Sequence, residues 1–265
     1  TDRRDPGVAG LRILHRDEDV SAVDKPPGRI VVPGRGPPER TVREDAEALL
    51  GRLWVVHRLD RGTSGVLLLA RNAEAHRRLC GAFEAHRVTK RYLALVRGRL
   101  EGERRVDVPV GPGRRGRVRW GAVPGARPAR TFVRSLAFLP GEGARPDLSL
   151  VEAWPESGRT HQVRAHLAAL GVPLAVDPDY GDPGPLRGPG GEPVLARTPL
   201  HAASLDLAHP ATGEPLRVEA PLPGDLADLL RRDYRLNQRR SLDRAEDAIT
   251  HLKGHFGNYR AIDIT

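Results

Sequence analysis

The side chains best suited to chemistry lie in Val55 to Ala70, VVHRLDRGTSGVLLLA, where one carboxylate stands between two arginines. Arg58 and Arg61 flank Asp60, and nearby cations favour the ionised form of a carboxylate. An ionised carboxylate at the edge of a sheet can act as a nucleophile or a general base. The same residue could instead cap a turn, with its charge compensated by an arginine. The local sequence leaves both interpretations open.

A second segment, Ser157 to Leu167, reads SGRTHQVRAHL and concentrates polar and basic residues where a helix is predicted to begin. Thr160 is the candidate N-cap. Arg159, His161 and Arg164 would then lie near a helix N-terminus, where backbone N–H groups favour anions. The segment could bind a phosphate or a carboxylate, but an amphipathic helix with a solvated basic face explains it equally well.

Other kinds of catalytic site have little support. His161 and His166 are five positions apart, which misses the i, i+4 spacing of a helical zinc pair, and there is no HExxH motif. Ser64 lies in TSG rather than in a G-x-S-x-G elbow, and no G-x-x-x-x-G-K-[ST] phosphate loop occurs. Cys80 is the single cysteine, which excludes an intramolecular disulfide. The sequence therefore predicts neither a metal nor a cofactor.

Short strands and turns are predicted to position both segments. Residues 11–32 read as two strands around a turn, with Pro26-Pro27-Gly28 as the break. Val66 to Ala70 is a continuous apolar run of strand length, and Lys90 to Val96 alternates as a strand does. Two more strands are predicted around LHAASLDLAHP and EPLRVEAP.

Fewer helices are predicted than strands. Thr41 and Glu44 have capping-box spacing before a short helix, and Asn72 can cap a helix that runs to about Arg87. The segment GDLADLLRRDY closes the patterned region as a further helix. Many strands joined by short turns favour an α+β fold with a largely antiparallel sheet over a doubly wound one.

The charge balance points to a polyanionic partner. The 265 residues include 43 Lys and Arg against 34 Asp and Glu, a formal net charge of +9. Only Lys25, Lys90 and Lys253 are lysines, so genomic base composition could account for much of the arginine content. A Gly/Pro-rich stretch holds a cluster of arginines: Arg104, Arg105, Arg114, Arg115, Arg117 and Arg119. With no run of 18 apolar residues and no signal peptide, the sequence predicts a soluble, cytoplasmic protein without a membrane segment.

Taken in chain order, these segments resemble the motifs of the RluA-type family of RNA pseudouridine synthases. The central match is His57 to Gly65, HRLDRGTSG, which resembles the catalytic HRLDxxTSG motif of the family. The other matching segments are Val23 to Gly28 (VDKPPG), Thr89 to Val96 (TKRYLALV), Gly158 to Arg164 (GRTHQVR) with His166, Asp177 to Gly181 (DPDYG), and Leu200 to Ala202 (LHA). The ordered set covers about residues 11–230.

The resemblance implies a mixed, mainly antiparallel sheet with flanking helices around a central RNA-binding cleft. It implies a catalytic domain over 11–235, and the polar tail over 236–265 is expected to be loosely ordered. About ten residues precede the first motif, so no S4 RNA-binding domain is expected ahead of it. Members of the family need no cofactor or metal, and we expect a monomer.

The implied activity is isomerisation of specific uridines to pseudouridine in structured RNA, either tRNA or an rRNA stem-loop, by base flipping and an aspartate-dependent mechanism. Val88 to Leu100 leans slightly towards a tRNA substrate. By resemblance, Asp60 is the catalytic aspartate, Tyr92 stacks on the flipped base and Arg164 pairs with the aspartate. Arg58 helps to displace the base. The other predicted RNA contacts are Lys25, His57, Lys90, Arg159, Thr160, His161 and Gln162.

Three points stay open at the level of sequence. Asp60 could attack C1′ of the ribose or remove the 2′ proton. The protein could be a catalytically silent RNA-binding protein on the same fold, although intact Asp60, Tyr92 and Arg164 argue against it. A glycosidase-like hydrolase would need a second carboxylate as its acid, and the sequence offers no convincing one.

Overall fold

A computed structural model of the protein describes residues 11–34, 37–113 and 116–236. The predicted catalytic domain over 11–235 falls within these ranges apart from two short gaps, one of which contains Arg114 and Arg115. The predicted tail lies outside the described residues from position 237 onward. No helix in the described ranges is long and apolar enough to cross a membrane.

The described residues form fourteen strands and four helices. The strands are β1 (Arg12–Arg16), β2 (Val20–Lys25), β3 (Trp54–Val55), β4 (Ser64–Ala70), β5 (Thr89–Arg97), β6 (Glu103–Asp107), β7 (Val110–Pro112), β8 (Val118–Trp120), β9 (Arg130–Leu139), β10 (Leu148–Pro155), β11 (Leu186–Arg187), β12 (Pro193–Leu195), β13 (Leu200–Ala208) and β14 (Pro215–Glu219). The helices are α1 (Val42–Leu50), α2 (Ala73–Glu84), α3 (Gln162–Ala169) and α4 (Gly224–Leu236).

Ten strands form one sheet in the order β1-β2-β4-β13-β5-β10-β9-β6, with β14 paired to β13 and β3 paired to β4. The β4–β13 pair is parallel, and the other pairs of this sheet are antiparallel. Two further hairpins, β7–β8 and β11–β12, stand apart from it. The α+β fold with a mixed, mainly antiparallel sheet is therefore confirmed.

Local capping signals fix two of the helices as predicted. The Thr41 hydroxyl accepts a hydrogen bond from the Glu44 amide, and the Glu44 carboxylate accepts one from the Thr41 amide, which completes the capping box. The Asn72 side chain accepts from the Ala75 amide at 2.8 Å and begins α2. This helix ends before the predicted position because His86 takes a left-handed backbone conformation, with φ of 56°.

Each helix covers its own apolar cluster on the sheet. Strand β4 contributes side chains to two of these clusters. Leu68 packs in the cluster beneath α2, whereas Leu67 and Leu69 pack in the cluster beneath α1. Burial on both faces explains why β4 reads as a continuous apolar run instead of an alternating one. The loop that carries Asp60 leads directly into this strand.

A buried histidine spans the short parallel contact between β4 and β13. His201 Nε2 lies 3.3 Å from the Ala220 carbonyl, and its Nδ1 lies 3.0 Å from the Ser64 hydroxyl. A carbonyl only accepts, so Nε2 carries the proton and Nδ1 accepts from Ser64. The neutral ring is thus fully bonded, and burial lowers the pKa of His201 to about 4.

We expect the free energy of unfolding to fall as the pH drops from 7 to 5, and His201→Asn to reduce that fall. The unfolded histidine takes up a proton near pH 6.5 and the folded one near 4, so the unfolded state binds more protons between these values. Proton uptake by the unfolded histidine therefore lowers the free energy of unfolding by about 2 kcal/mol at pH 5. Urea unfolding at both pH values measures it, with His86→Asn as a control in an exposed histidine. An equal fall in His201→Asn and wild type would contradict this account.

Candidate active site

The two polar segments singled out in the sequence meet in one cleft. Its walls come from the loop between β3 and β4, from β5 and from the start of α3. Of the predicted site residues, those lining the cleft are Arg58, Asp60, Lys90, Tyr92, Arg159, His161, Gln162 and Arg164. The side chains of Lys25, His57 and Thr160 are not part of its lining.

The Asp60 carboxylate faces the first turn of α3. One oxygen, Oδ2, lies 3.6 Å from a terminal nitrogen of Arg164, and Oδ1 lies 3.9 Å from His161 Nε2. Its side chain is 28% exposed, so a substrate can reach it. The Thr63 amide donates to the Asp60 carbonyl at 3.1 Å, which closes the turn in which the carboxylate sits.

Gly65 allows β4 to start beneath this turn. Its φ is 111°, and a Cβ atom there would lie 2.2 Å from the Ala202 carbonyl oxygen. Only glycine fits so close an approach between β4 and β13. The last residue of the TSG motif therefore has a packing role that brings the Asp60 loop against the centre of the sheet.

Arg164 is buried, and its strongest partner is Asp177. The guanidinium donates to the two carboxylate oxygens of Asp177 at 2.8 and 2.6 Å, and to Asp179 at 2.7 Å. Asp177 is fully buried. Arg164 thus faces Asp60 while being held by two other carboxylates. This arrangement contradicts a solvated basic face on α3, which the sequence alone left possible.

The sequence alone predicts no role for Asp177, Asp179 or Tyr180, although their motif is one of the matching segments. The Arg164 guanidinium lies 5.1 Å from the centre of the Tyr180 ring, so all three residues surround the same side chain. Two acids two positions apart in a Gly/Pro-rich loop were the available signal. Their partner is remote in sequence, and no local pattern identifies it.

The N-cap of α3 is His161, so the prediction of Thr160 at this position is wrong. His161 has a left-handed backbone, with φ of 52°, and makes no side-chain capping bond. Instead its Nδ1 lies 2.9 Å from the Tyr180 hydroxyl. That hydroxyl accepts from the Val118 amide at 2.8 Å, which leaves its own proton for Nδ1.

His161 accordingly presents its protonated nitrogen, Nε2, to Asp60. Burial lowers the pKa of His161 below its ordinary value, while the charge of Asp60 acts in the opposite direction. The neutral ring can donate a hydrogen bond towards the carboxylate or towards a ligand beside it. A left-handed backbone at a residue other than glycine is strained, and such strain is concentrated at functional sites.

Tyr92 and Lys90 project from the same face of β5 into the cleft. Burial, followed by the charge of Asp60, raises the pKa of the Tyr92 phenol, which stays neutral. Lys90 is 7% exposed, and its ammonium donates to the carbonyls of Ser157 and Glu156 at 3.1 and 3.4 Å. Burial lowers the pKa of Lys90 to about 8. Lys90 therefore ties β5 to the turn before α3.

The side chains of Lys25 and Gln162 also form hydrogen bonds to backbone groups. The fully buried Lys25 ammonium donates to the carbonyls of Thr63, Pro26 and Arg61 at 2.7, 3.0 and 3.2 Å. Burial lowers the pKa of Lys25 to about 7. The Gln162 amide donates to the Arg130 carbonyl at 2.9 Å. These contacts hold the loops around the cleft in place.

His57 faces away from the cleft, and Thr160 is exposed. His57 Nε2 accepts from the Leu68 amide at 2.9 Å, and its ring stacks on Phe83 with centroids 4.7 Å apart. Burial lowers the pKa of His57 to about 3, so the ring is neutral. Of the four residues HRLD, the first supports the fold and the fourth faces the cleft. Arg58, between them, is exposed at the cleft wall.

The β7–β8 hairpin is bonded to the same site. Arg117 donates to Asp179 at 3.0 Å and to the Pro178 carbonyl at 3.1 Å. Asp179 in turn accepts from Arg164. Arg117, a member of the predicted arginine cluster, is therefore connected through Asp179 to Arg164, which in turn faces Asp60.

Within the described ranges, one group of side chains has the spacing of metal ligands: Asp17, Asp19 and His209. It is not part of the cleft lining. His209 Nδ1 accepts from the amides of Ala211 and Thr212 at 3.3 Å, so Nε2 carries the proton and donates to Asp17. A protonated Nε2 is not a metal ligand.

Comparison with known proteins identifies a family that matches this chain. A family profile described as RNA pseudouridylate synthase matches residues 19–169. The ribosomal large subunit pseudouridine synthase D of Nitrosomonas europaea is 39% identical over 83% of this chain and 64% of its own length. An uncharacterized RNA pseudouridine synthase of Chloroflexus aurantiacus is 42% identical over 78% of this chain and 65% of its own. The match thus spans just under two thirds of each relative.

Two solved structures with the same fold carry the same family description in their names. Human RNA pseudouridylate synthase domain containing 1 superposes with a TM-score of 0.65 and 27% identity, covering 86% of this chain and 97% of the human one. Human RNA pseudouridylate synthase domain containing 4 gives a TM-score of 0.64 at 25% identity. The motifs, the sheet and these matches together show that the chain belongs to the RluA-type family of RNA pseudouridine synthases.

Proposed function

We propose that this protein is an RNA pseudouridine synthase that isomerises uridine to pseudouridine in structured RNA. The carrying observation is the Asp60 carboxylate, accessible in a cleft with Arg164 and His161 on one side and Tyr92 on the wall. In the reaction the C1′–N1 bond breaks, the uracil turns and C5 bonds to C1′. N1 gains a proton and C5 loses one, so no oxidant or reductant is needed.

The geometry supports distinct roles for the cleft residues. Asp60 acts on the ribose at C1′ or at the 2′ proton, and Arg164 stabilises its charge from 3.6 Å. A stacked uridine cannot reach the cleft, so it must be flipped out of its helix. The Tyr92 ring provides a surface for the flipped base. The exposed Arg58 is placed to occupy the space that the base leaves.

Four of the predicted RNA contacts bond to backbone groups around the site. Lys25, Lys90 and Gln162 bond to backbone carbonyls, and His57 bonds to a backbone amide. We propose that these side chains hold the Asp60 loop and the start of α3 in position instead of contacting RNA. Arg159 and Thr160, in the turn before α3, remain candidates for contacts with the RNA backbone.

The substrate is proposed to be ribosomal RNA of the large subunit. Several relatives above 30% identity carry that substrate in their names, which outweighs the slight lean of Val88 to Leu100 towards tRNA. The net charge of +9 suits a polyanionic partner. We expect the protein to act as a monomer in the cytoplasm, without metal or cofactor.

Release of tritium from a large-subunit rRNA transcript labelled at C5 of uridine tests the proposal. We expect turnover by the purified protein in excess EDTA after exhaustive dialysis, because Asp60 and its neighbours can perform the reaction without a metal. Pre-folded RNA separates any effect of Mg²⁺ on the substrate. RNA binding without tritium release from rRNA or tRNA would favour the silent RNA-binding protein, and activity restored only by a divalent ion at the site would contradict the metal-free mechanism.

Arg117→Gln is expected to weaken RNA binding more than turnover. Loss of one phosphate contact should flatten the slope of log K against log salt by roughly 0.7 to 0.9. The pair with Asp179 is exposed, and such pairs are worth about 1 kcal/mol or less, so turnover at saturating RNA should fall no more than about fivefold. Arg77→Gln on the remote helix α2 is the control. A fall in turnover of a hundredfold would show that Arg117 acts in the chemical step.

A further inference from the structure

Trp120 presents an aromatic ring to solvent at the end of β8. It is 40% exposed, and it is the one large apolar side chain so exposed in the described part of the chain. Single exposed apolar residues are common, so the surroundings of the ring decide what it can do. The hairpin that carries the ring is basic, because Arg117 and Arg119 are also exposed on it.

The β7–β8 hairpin is bonded to the segment 178–180, whose side chains contact Arg164 and His161 in the cleft. The Val118 amide donates to the Tyr180 hydroxyl at 2.8 Å, and Arg117 donates to Asp179 and to the Pro178 carbonyl at 3.0 and 3.1 Å. These contacts lie two and three positions before Trp120. The backbone that carries the indole is therefore held in place before any ligand arrives, which lowers the entropic cost of binding.

Ring contacts lead from Trp120 to the catalytic carboxylate. The Trp120 ring lies 6.2 Å from the ring of Tyr180, and the Tyr180 ring lies 5.7 Å from that of His161 in an edge-on arrangement. His161 Nε2 is 3.9 Å from Asp60. The indole is thus two ring contacts away from His161, which lines the cleft, and a nucleotide adjoining the one in the cleft could reach it.

We propose that Trp120 is a stacking site for an unpaired base that neighbours the target uridine in the RNA strand; this rests on the proposed function. Every nucleobase has a π-face, so the site accepts an unpaired base without selecting its identity. Arg119 projects from the opposite face of β8 and can contact the phosphates that follow. Such a site favours loops and bulges over continuous helices, because only there are bases free to stack on protein.

The test compares two probes, a strand of ten uridines and a strand of ten tetrahydrofuran spacers with the same phosphates but no bases. Loss of one base–aromatic stack lowers affinity roughly five- to a hundredfold. Trp120→Ala should lower the ratio of affinities for the two strands by at least fivefold, whereas Trp120→Phe should retain most of it. Arg119→Gln is the matched control: it should weaken both strands alike, flatten the salt slope by about 0.7 and leave the ratio unchanged.

Thermal melting verifies that each variant is folded, and tritium release by the wild type on the rRNA transcript is measured in parallel. An unchanged ratio in Trp120→Ala, with wild-type turnover present, overturns the stacking site and leaves the proposed function intact. Absence of wild-type turnover, with a ratio near one for the wild type, overturns both. A reduced ratio in Arg119→Gln equal to that in Trp120→Ala would show that the preference comes from charge and would also overturn the proposal.

Discussion

Replacing Asp60 with Asn is expected to abolish release of tritium from C5-labelled RNA while leaving the fold and RNA affinity close to wild type. The amide can neither attack C1′ nor take a proton from the ribose, and loss of such a group costs about 10²- to 10⁴-fold or more. The side chain is partly exposed, and Arg164 keeps its bonds to Asp177 and Asp179 when Asp60 is changed. Stability should therefore change little.

Tritium release, thermal melting and filter binding on the same preparation check this expectation. Asp228→Asn, at an exposed position on α4, is the matched control and should behave as wild type. Turnover within tenfold of wild type in a preparation free of other synthases would exclude Asp60 as nucleophile or base. Loss of melting stability comparable to loss of activity would instead assign it a structural role.

Asp177→Ala is expected to destabilise the protein by about 3–5 kcal/mol and to lower turnover as well. It removes a fully buried carboxylate that accepts two of the three hydrogen bonds donated by the Arg164 guanidinium. The buried guanidinium then keeps only its hydrogen bond to Asp179. It also removes the acceptor for the amides of Asp179 and Tyr180, so the loop beside His161 loses its anchor. Arg164 would then be free to move away from its position opposite Asp60.

Asp179→Asn is the matched control, because this carboxylate shares the same arginine but is only half-buried. Its pair is partly solvated, so the cost should be about 1 kcal/mol or less. Urea unfolding ranks the two variants, and kcat measured well below their melting points separates activity from stability. Equal losses of stability in the two variants would contradict the central place given to Asp177.

Local sequence signals predict the elements of this fold better than the contacts of its site. The capping box at Thr41 and the cap at Asn72 act within one helical turn, so their sequences suffice. His161 bonds to Tyr180 and Arg164 bonds to Asp177, and these partners are brought together only by the folded chain. Tertiary contacts of this kind decide which polar residue is buried and which is exposed.

The burial of Lys25 is a second case in which a tertiary contact could not be predicted from the local sequence. A lysine next to a Pro-Pro-Gly turn in a basic protein suggests contact with RNA, yet its ammonium lies under the Asp60 loop and bonds three carbonyls. The sheet pairing of β2 with β4 brings it there. Composition and charge cannot distinguish a lysine that contacts RNA from one that holds the Asp60 loop, because both roles need a cation close to that loop.

Strand β4, which follows the Asp60 loop, is covered by helices on both faces and flanked by β2 and β13 at its edges, so the base of the loop is anchored on all sides. We expect a carboxylate on a loop anchored in this way to stay in place when a substrate binds. Under the proposed function, the RNA would then have to bend, unpair and bring its uridine to the carboxylate. Substrates that unpair readily at the modified nucleotide would consequently be processed fastest, and the choice among uridines would be made by the mechanics of the RNA as much as by contacts with the protein.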